Sequence, residues 1–229
     1  MFLLTQLGII SYFIPALIQY SKKLWHDVNL RLITLYWVVC GIINIAGNLP
    51  FLEWRTIEII NVSFNLIVIP MVMLLLYINT KINWLKKLII TGIGIVLILE
   101  IAGLIKGGYY YDSLKYSLGI GVMLFLIFVF CELIKFFQSV SHSRRERRML
   151  FIYIALAFEY GTYLVIYYFE YFFPNTNSVV YEDTHILYYV SALIPMLIAS
   201  IGLMLNHTRT RKYENLSYHE KLNTKKGWN

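Results

Sequence analysis

The chain has 229 residues, 59% of them hydrophobic and 14% charged, and a mean hydropathy of +0.62. Soluble domains are about half apolar and a quarter charged, so a water-soluble fold is excluded, and seven helices of about 20 residues each leave no room for an additional catalytic or DNA-binding domain. The net charge of +7 does not point to nucleic acid, because in a membrane chain the position of each cation matters more than the sum.

Apolar runs bounded by charge or turn residues predict spans near 3–20, 31–49, 57–78, 87–105, 114–138, 149–172 and 185–205. Only helices or closed barrels satisfy the backbone in lipid, and these runs are continuous and too long for alternating barrel strands. The expected class is an all-α membrane protein, a seven-transmembrane-helix bundle over residues 1–208 with a basic tail at 209–229. The first run opens as Met1-Phe2-Leu3-Leu4 without a basic leader, which reads as a retained span rather than a cleaved signal.

The second span sets Trp37, Gly41, Asn44 and Asn48 at helical spacing, and the third does the same with Glu58, Asn61 and Asn65. Such amides either bond one another as interhelical glue or line a polar cavity. The fourth span carries Glu100 among Leu97, Ile98, Leu99 and Ile101, with no cation one turn away, so it needs a partner from another helix. In the fifth, Glu132 lies three residues before Lys135, where a helical pair with a snorkelling lysine accounts for both. The sixth is the most unusual: Glu159, Tyr163, Tyr167 and Glu170 fall along one face, flanked by Tyr160, Tyr168 and Tyr171. Tyrosines combine apolar rings with hydroxyl handles, so this stripe either lines a pocket or packs with its hydroxyls on neighbouring backbones. The seventh opens at His185. Pro15, Pro70 and Pro195 lie inside spans one, three and seven and should loosen or kink them.

Seventeen of the twenty lysines and arginines fall in one set of alternating connections and the tail; only Arg55, Lys106 and Lys115 fall in the other. The excess of cations on the cytoplasmic side predicts the N-terminus outside and the C-terminus cytoplasmic. The Arg144-Arg145-Glu146-Arg147-Arg148 cluster and the tail then face anionic lipid or dock a cytosolic or membrane protein. Trp54, the Tyr109-Tyr110-Tyr111 run, Phe172-Phe173 and Tyr181 mark the outer interface, and Trp25 and Trp84 the inner one.

No metal or cofactor site is expected. Cys40 and Cys131 both fall in apolar stretches, one intramembrane histidine cannot make a zinc centre, the seventh span has no lysine for a retinal Schiff base, and no phosphate loop or nucleophile elbow occurs. The candidate ligand-binding residues are Glu159, Tyr163, Tyr167, Asn61, Asn65, Asn44, Glu100 and His185.

Four stretches, LGIISYFIPALI at Leu7 to Ile18, RLITLYWVVCGIINI at Arg31 to Ile45, NVSFNLIVIPMVMLLLY at Asn61 to Tyr77, and Thr184 to Leu205 with its early histidine, resemble small, uncharacterised seven-helix membrane proteins of Bacteroidota-type bacteria, some of them similar to membrane sensor segments of histidine kinases. The resemblance brings no established activity and transfers no catalytic residues. With only the short tail after Arg211, output is expected to pass through a partner. The leading expectation is therefore a receptor-like protein binding a small, largely apolar ligand in an outer-half cavity. A small-solute transporter is the rival, and a subunit of a membrane assembly or an intramembrane lipid enzyme are further alternatives.

Overall fold

The computed structural model describes residues 2–49, 51–172 and 178–205, with side chains at all of these but 2, 144, 170–172 and 178–185. The basic tail at 209–229, Phe173, Asn175 and the side chain of His185 lie outside the described residues. Among the described residues, eight α-helices carry the fold: α1 (Phe2–Ser11), α2 (Ile14–Ser21), α3 (Val28–Gly47), α4 (Trp54–Asn79), α5 (Asn83–Gly107), α6 (Lys115–Gln138), α7 (Arg144–Phe172) and α8 (Ser178–Met204). No strand occurs among the described residues. Of these described helices, six are long and apolar enough to cross a membrane, and α1 with α2 makes up to a seventh.

The first apolar run is thus not one continuous span. It breaks at Tyr12–Phe13 with a bend of 40°, because Pro15 cannot donate to the Ser11 carbonyl and its ring crowds that turn. The Ser11 hydroxyl bonds back to the Gly8 carbonyl at 2.6 Å. Pro70 and Pro195, by contrast, lie inside α4 and α8, which continue through them, each with long flanking helix on both sides to hold the line. Near the far end of α2, the buried Gln19 side chain accepts from the Thr34 hydroxyl of α3 and donates to the Leu24 carbonyl at 3.2 Å.

Helix starts follow local chemistry. The Asp27 carboxylate caps α3 by accepting from the Asn29 amide N–H at 3.1 Å. At α7 the sequence Ser143-Arg144-Arg145-Glu146 forms a reciprocal capping box, with the Ser143 N–H donating to Glu146 at 2.7 Å and the Glu146 N–H donating to the Ser143 hydroxyl at 3.3 Å. The same end carries two interhelical ion pairs, Lys81 to Glu146 at 2.7 Å and Arg145 to Asp27 at 3.4 Å. Both are exposed enough to contribute at most about 1 kcal/mol each. The expected Glu132–Lys135 pair is not among the ion pairs of the described residues. Glu132 instead approaches the hydroxyl of Thr80, the residue just after α4, a group that spacing along α6 could not reveal.

Sequential helices are neighbours throughout, and α1 and α2 return against α8, so the chain closes into a ring. A further contact joins α4 to α6. Glycines set the closest approaches: a Cβ on Gly121 of α6 would sit 2.7 Å from Ile69 of α4, and one on Gly41 of α3 would sit 2.9 Å from the Phe13 ring. Gly121→Val is expected to lower stability by about 1–3 kcal/mol through overpacking, measured by denaturant titration in mixed micelles, whereas Gly94→Ala, which meets no atom within 4 Å, should leave it unchanged or slightly raised.

The outer surface is studded with Leu17, Ile42, Ile67, Ile98, Ile105 and Ile127, all exposed. An apolar surface of this extent suits lipid rather than water. Inside, Leu30, Ile33, Trp37, Val72, Met73, Phe125, Ile152 and Met196 are fully buried.

Candidate binding cavity

The ring leaves a gap. Among the described residues, no Cα of α3 comes within 8 Å of α7 or α8, and none of α4 comes within 8 Å of α7. Three side-chain bridges cross this space instead. The Trp37 indole N–H on α3 donates to Glu159 Oε2 on α7 at 3.0 Å, the Tyr36 and Tyr160 hydroxyls bond each other at 2.7 Å, and the Tyr188 hydroxyl on α8 donates to Asn44 Oδ1 at 2.7 Å.

What the bridges leave open is a cavity of about 470 Å³, within the ~300–1,000 Å³ range of small-molecule sites. Each helix lends it one half of its length. From α3 and its C-cap come Tyr36, Cys40, Ile43, Asn44, Gly47 and Asn48; from α4, positions from Trp54 to Ile69, including Asn61 and Asn65; from α7, Glu159, Tyr160, Tyr163 and Ile166; and from α8, Tyr188, Tyr189 and Ser191. Tyr12, at the break between α1 and α2, closes one side, and Tyr111 and Leu118 add to the wall. The cavity therefore runs from mid-bundle to the end where α3 passes into α4, with Trp54, 80% exposed, at its mouth. Below it the bundle is packed by Leu30, Ile33, Met73, Leu76, Ile152 and Leu156.

The mouth is braced from the α5–α6 connection. Arg55 lies 4.4 Å from the centre of the Tyr110 ring, pairs with Glu58 at 2.5 Å and donates to the Tyr109 carbonyl at 3.2 Å, while the Tyr109 hydroxyl meets Ser63 at 2.7 Å. The tyrosine run, whose position suits a membrane interface or packing against neighbours, thus holds the start of α4 in place.

The polar groups of the cavity fall into two sets. Asn44 is engaged, since its amide donates to the Cys40 carbonyl at 2.9 Å and accepts from Tyr188. Asn61 and Asn65, half-buried one helical turn apart, form no side-chain hydrogen bond among the described residues, although both line the cavity. Glu159 is 9% exposed; Trp37 takes one of its oxygens, and the other has no hydrogen-bond partner among the described residues. No Lys, Arg or His is among the described lining residues, and no group of three metal-ligating side chains occurs among the described residues.

Of the sequence candidates, the fold brings Glu159, Tyr163, Asn61, Asn65 and Asn44 together around one space. Tyr167 does not line it. Successive steps of four residues drift around a helix of 3.6 residues per turn, so Tyr167 lies about 80° from Glu159 whereas Ile166 lies about 20° away; Ile166 takes the wall position and the Tyr167 hydroxyl donates to the Lys115 carbonyl of α6. Glu100 is also elsewhere, 2% exposed on α5, with its Oε1 buried and unpartnered among the described residues. Its helix packs against α4, α6 and the turn at Tyr111–Leu114, outside the helices that frame the cavity. Tyr36, Tyr12 and Tyr188 were not candidates. Tyr36 had a signal, at four-residue spacing from Cys40 and Asn44; Tyr12 reaches the cavity only because the first span breaks. No protein-family model, curated protein or solved structure matches the chain.

Proposed function

We propose that this chain is a receptor-like membrane protein that binds a small, largely apolar molecule in its cavity and acts through a partner. The observation that carries the reading is the one-sided cavity: open at one end, lined by rings with a few unengaged polar groups, and closed beneath by the buried side chains of Leu30, Ile33, Met73, Leu76, Ile152 and Leu156, with a separate apolar groove between the inner halves of α3 and α4. A receptor needs entry from one side only, whereas a transporter needs a route through Met73 and Leu156. The charge asymmetry supports an orientation with the cavity facing outward and Arg144–Arg148 inward, where that cluster is available to a partner or to anionic lipid. The resemblance to sensor segments supports the bacterial inner membrane as its location.

Cysteine accessibility in sealed membranes tests this, because the thiolate forms and reacts only where water reaches it. In a background of Cys40→Ala and Cys131→Ala, Ser191→Cys should react with N-ethylmaleimide, and Met73→Cys should not. An impermeant maleimide should reach Asn48→Cys only from outside and Val140→Cys only from inside. An unreactive Ser191→Cys removes the binding reading. A Met73→Cys that reacts from the inner side replaces receptor with transporter.

A further inference from the structure

Glu159 places a carboxyl group in the wall of an intramembrane cavity without a cation to balance it. The ion pairs of the described residues, Arg55 with Glu58, Lys81 with Glu146 and Arg145 with Asp27, all lie at helix ends, and the described lining has no basic side chain. A carboxylate withdrawn from water is stabilised by a countercharge at close range. The same wall carries Tyr12, Tyr36, Tyr160 and Tyr163, and aromatic rings attract cations to their faces. Asn61 and Asn65 add two carbonyl acceptors with no partner among the described residues.

These features select among ligand chemistries. An organic acid or phosphate would meet Glu159 with like charge and find no arginine or lysine in the described wall. A neutral hydrocarbon would cover the second Glu159 oxygen and both amides without satisfying them, which is costly. We propose that the cavity takes a small organic monocation, an amine or quaternary ammonium with an aromatic or aliphatic body, its nitrogen beside Glu159 and its apolar part among the tyrosine rings. This rests on the cavity being a binding site, and it narrows that reading to one charge type.

Phenyltrimethylammonium and tert-butylbenzene have nearly the same shape and differ by one charge. Each is added, at matched free aqueous concentration, to Ser191→Cys protein in nanodiscs, and the slowing of N-ethylmaleimide labelling is recorded. Phenyltrimethylammonium should protect at a concentration about tenfold or more below that of tert-butylbenzene, and 4-tert-butylbenzoate should not protect. Adding Glu159→Gln should erase most of the preference, and Glu159→Asp should keep part of it. Should Glu159→Gln fail to assemble, the comparison of the two isosteres on the Ser191→Cys protein still decides. Equal protection, preference for the neutral or anionic compound, or protection by none of the three overturns the organic-cation assignment while labelling of Ser191→Cys leaves the cavity intact. Absence of labelling overturns the cavity reading and the assignment with it.

Discussion

Trp37→Phe is expected to destabilise the bundle by about 2–4 kcal/mol, the sum of a small cavity and a lost buried hydrogen bond. Trp37 is 0% exposed, so the smaller ring leaves a void that its packed neighbours fill only in part. The indole N–H is also the donor to Glu159 at 3.0 Å, and its loss leaves a buried carboxyl oxygen without a partner. The two contributions separate in a double-mutant cycle. Glu159→Leu in the Trp37→Phe background should recover about 1–2 kcal/mol, because removing both partners is far less costly than removing one. Unfolding in mixed micelles provides the measurement. If Trp37→Phe costs less than about 1 kcal/mol, the bridge between α3 and α7 does not hold the bundle together.

Asn65→Trp is expected to reduce protection by phenyltrimethylammonium about 100-fold or more while changing stability by under about 1 kcal/mol. The asparagine amide has no side-chain bond to lose among the described residues, and its position opens on a cavity of about 470 Å³. An indole there occupies the space that a ligand needs without displacing packed side chains, so the usual cost of overpacking does not apply. The contrast with Gly121→Val is the informative one. The same kind of enlargement is damaging where a Cβ meets Ile69 at 2.7 Å and tolerated where it meets a void. An Asn65→Trp protein that binds normally would place the ligand elsewhere; one that fails to fold would show that the space is not free.

The sequence contained the parts of this protein that depend on local composition. Runs of apolar residues long enough to cross lipid need no knowledge of their neighbours, which is why α3 to α8 fall close to the expected spans. Their starts differ by a turn or so where polar residues can extend a helix beyond the bilayer, as at Trp54 and Arg144. The polar character of α7 around Glu159 and Tyr163, and the amides of α3 and α4, were legible for the same reason: a polar group on a membrane helix stands out against its surroundings wherever it points. What the sequence could not contain was rotation and adjacency. Tyr167 and Ile166 are separated by about 100° around the helix, and which of them faces the centre is decided by the packing of α7 against α6 and α8. Glu100 has the same local signature as Glu159, yet its helix packs to one side of the cavity, and no spacing along α5 records that. The bridges from Trp37 to Glu159, Tyr36 to Tyr160 and Tyr188 to Asn44 join residues more than a hundred positions apart. They exist only because the ring brings α3 opposite α7 and α8, and the cavity is the space those long-range pairings hold open.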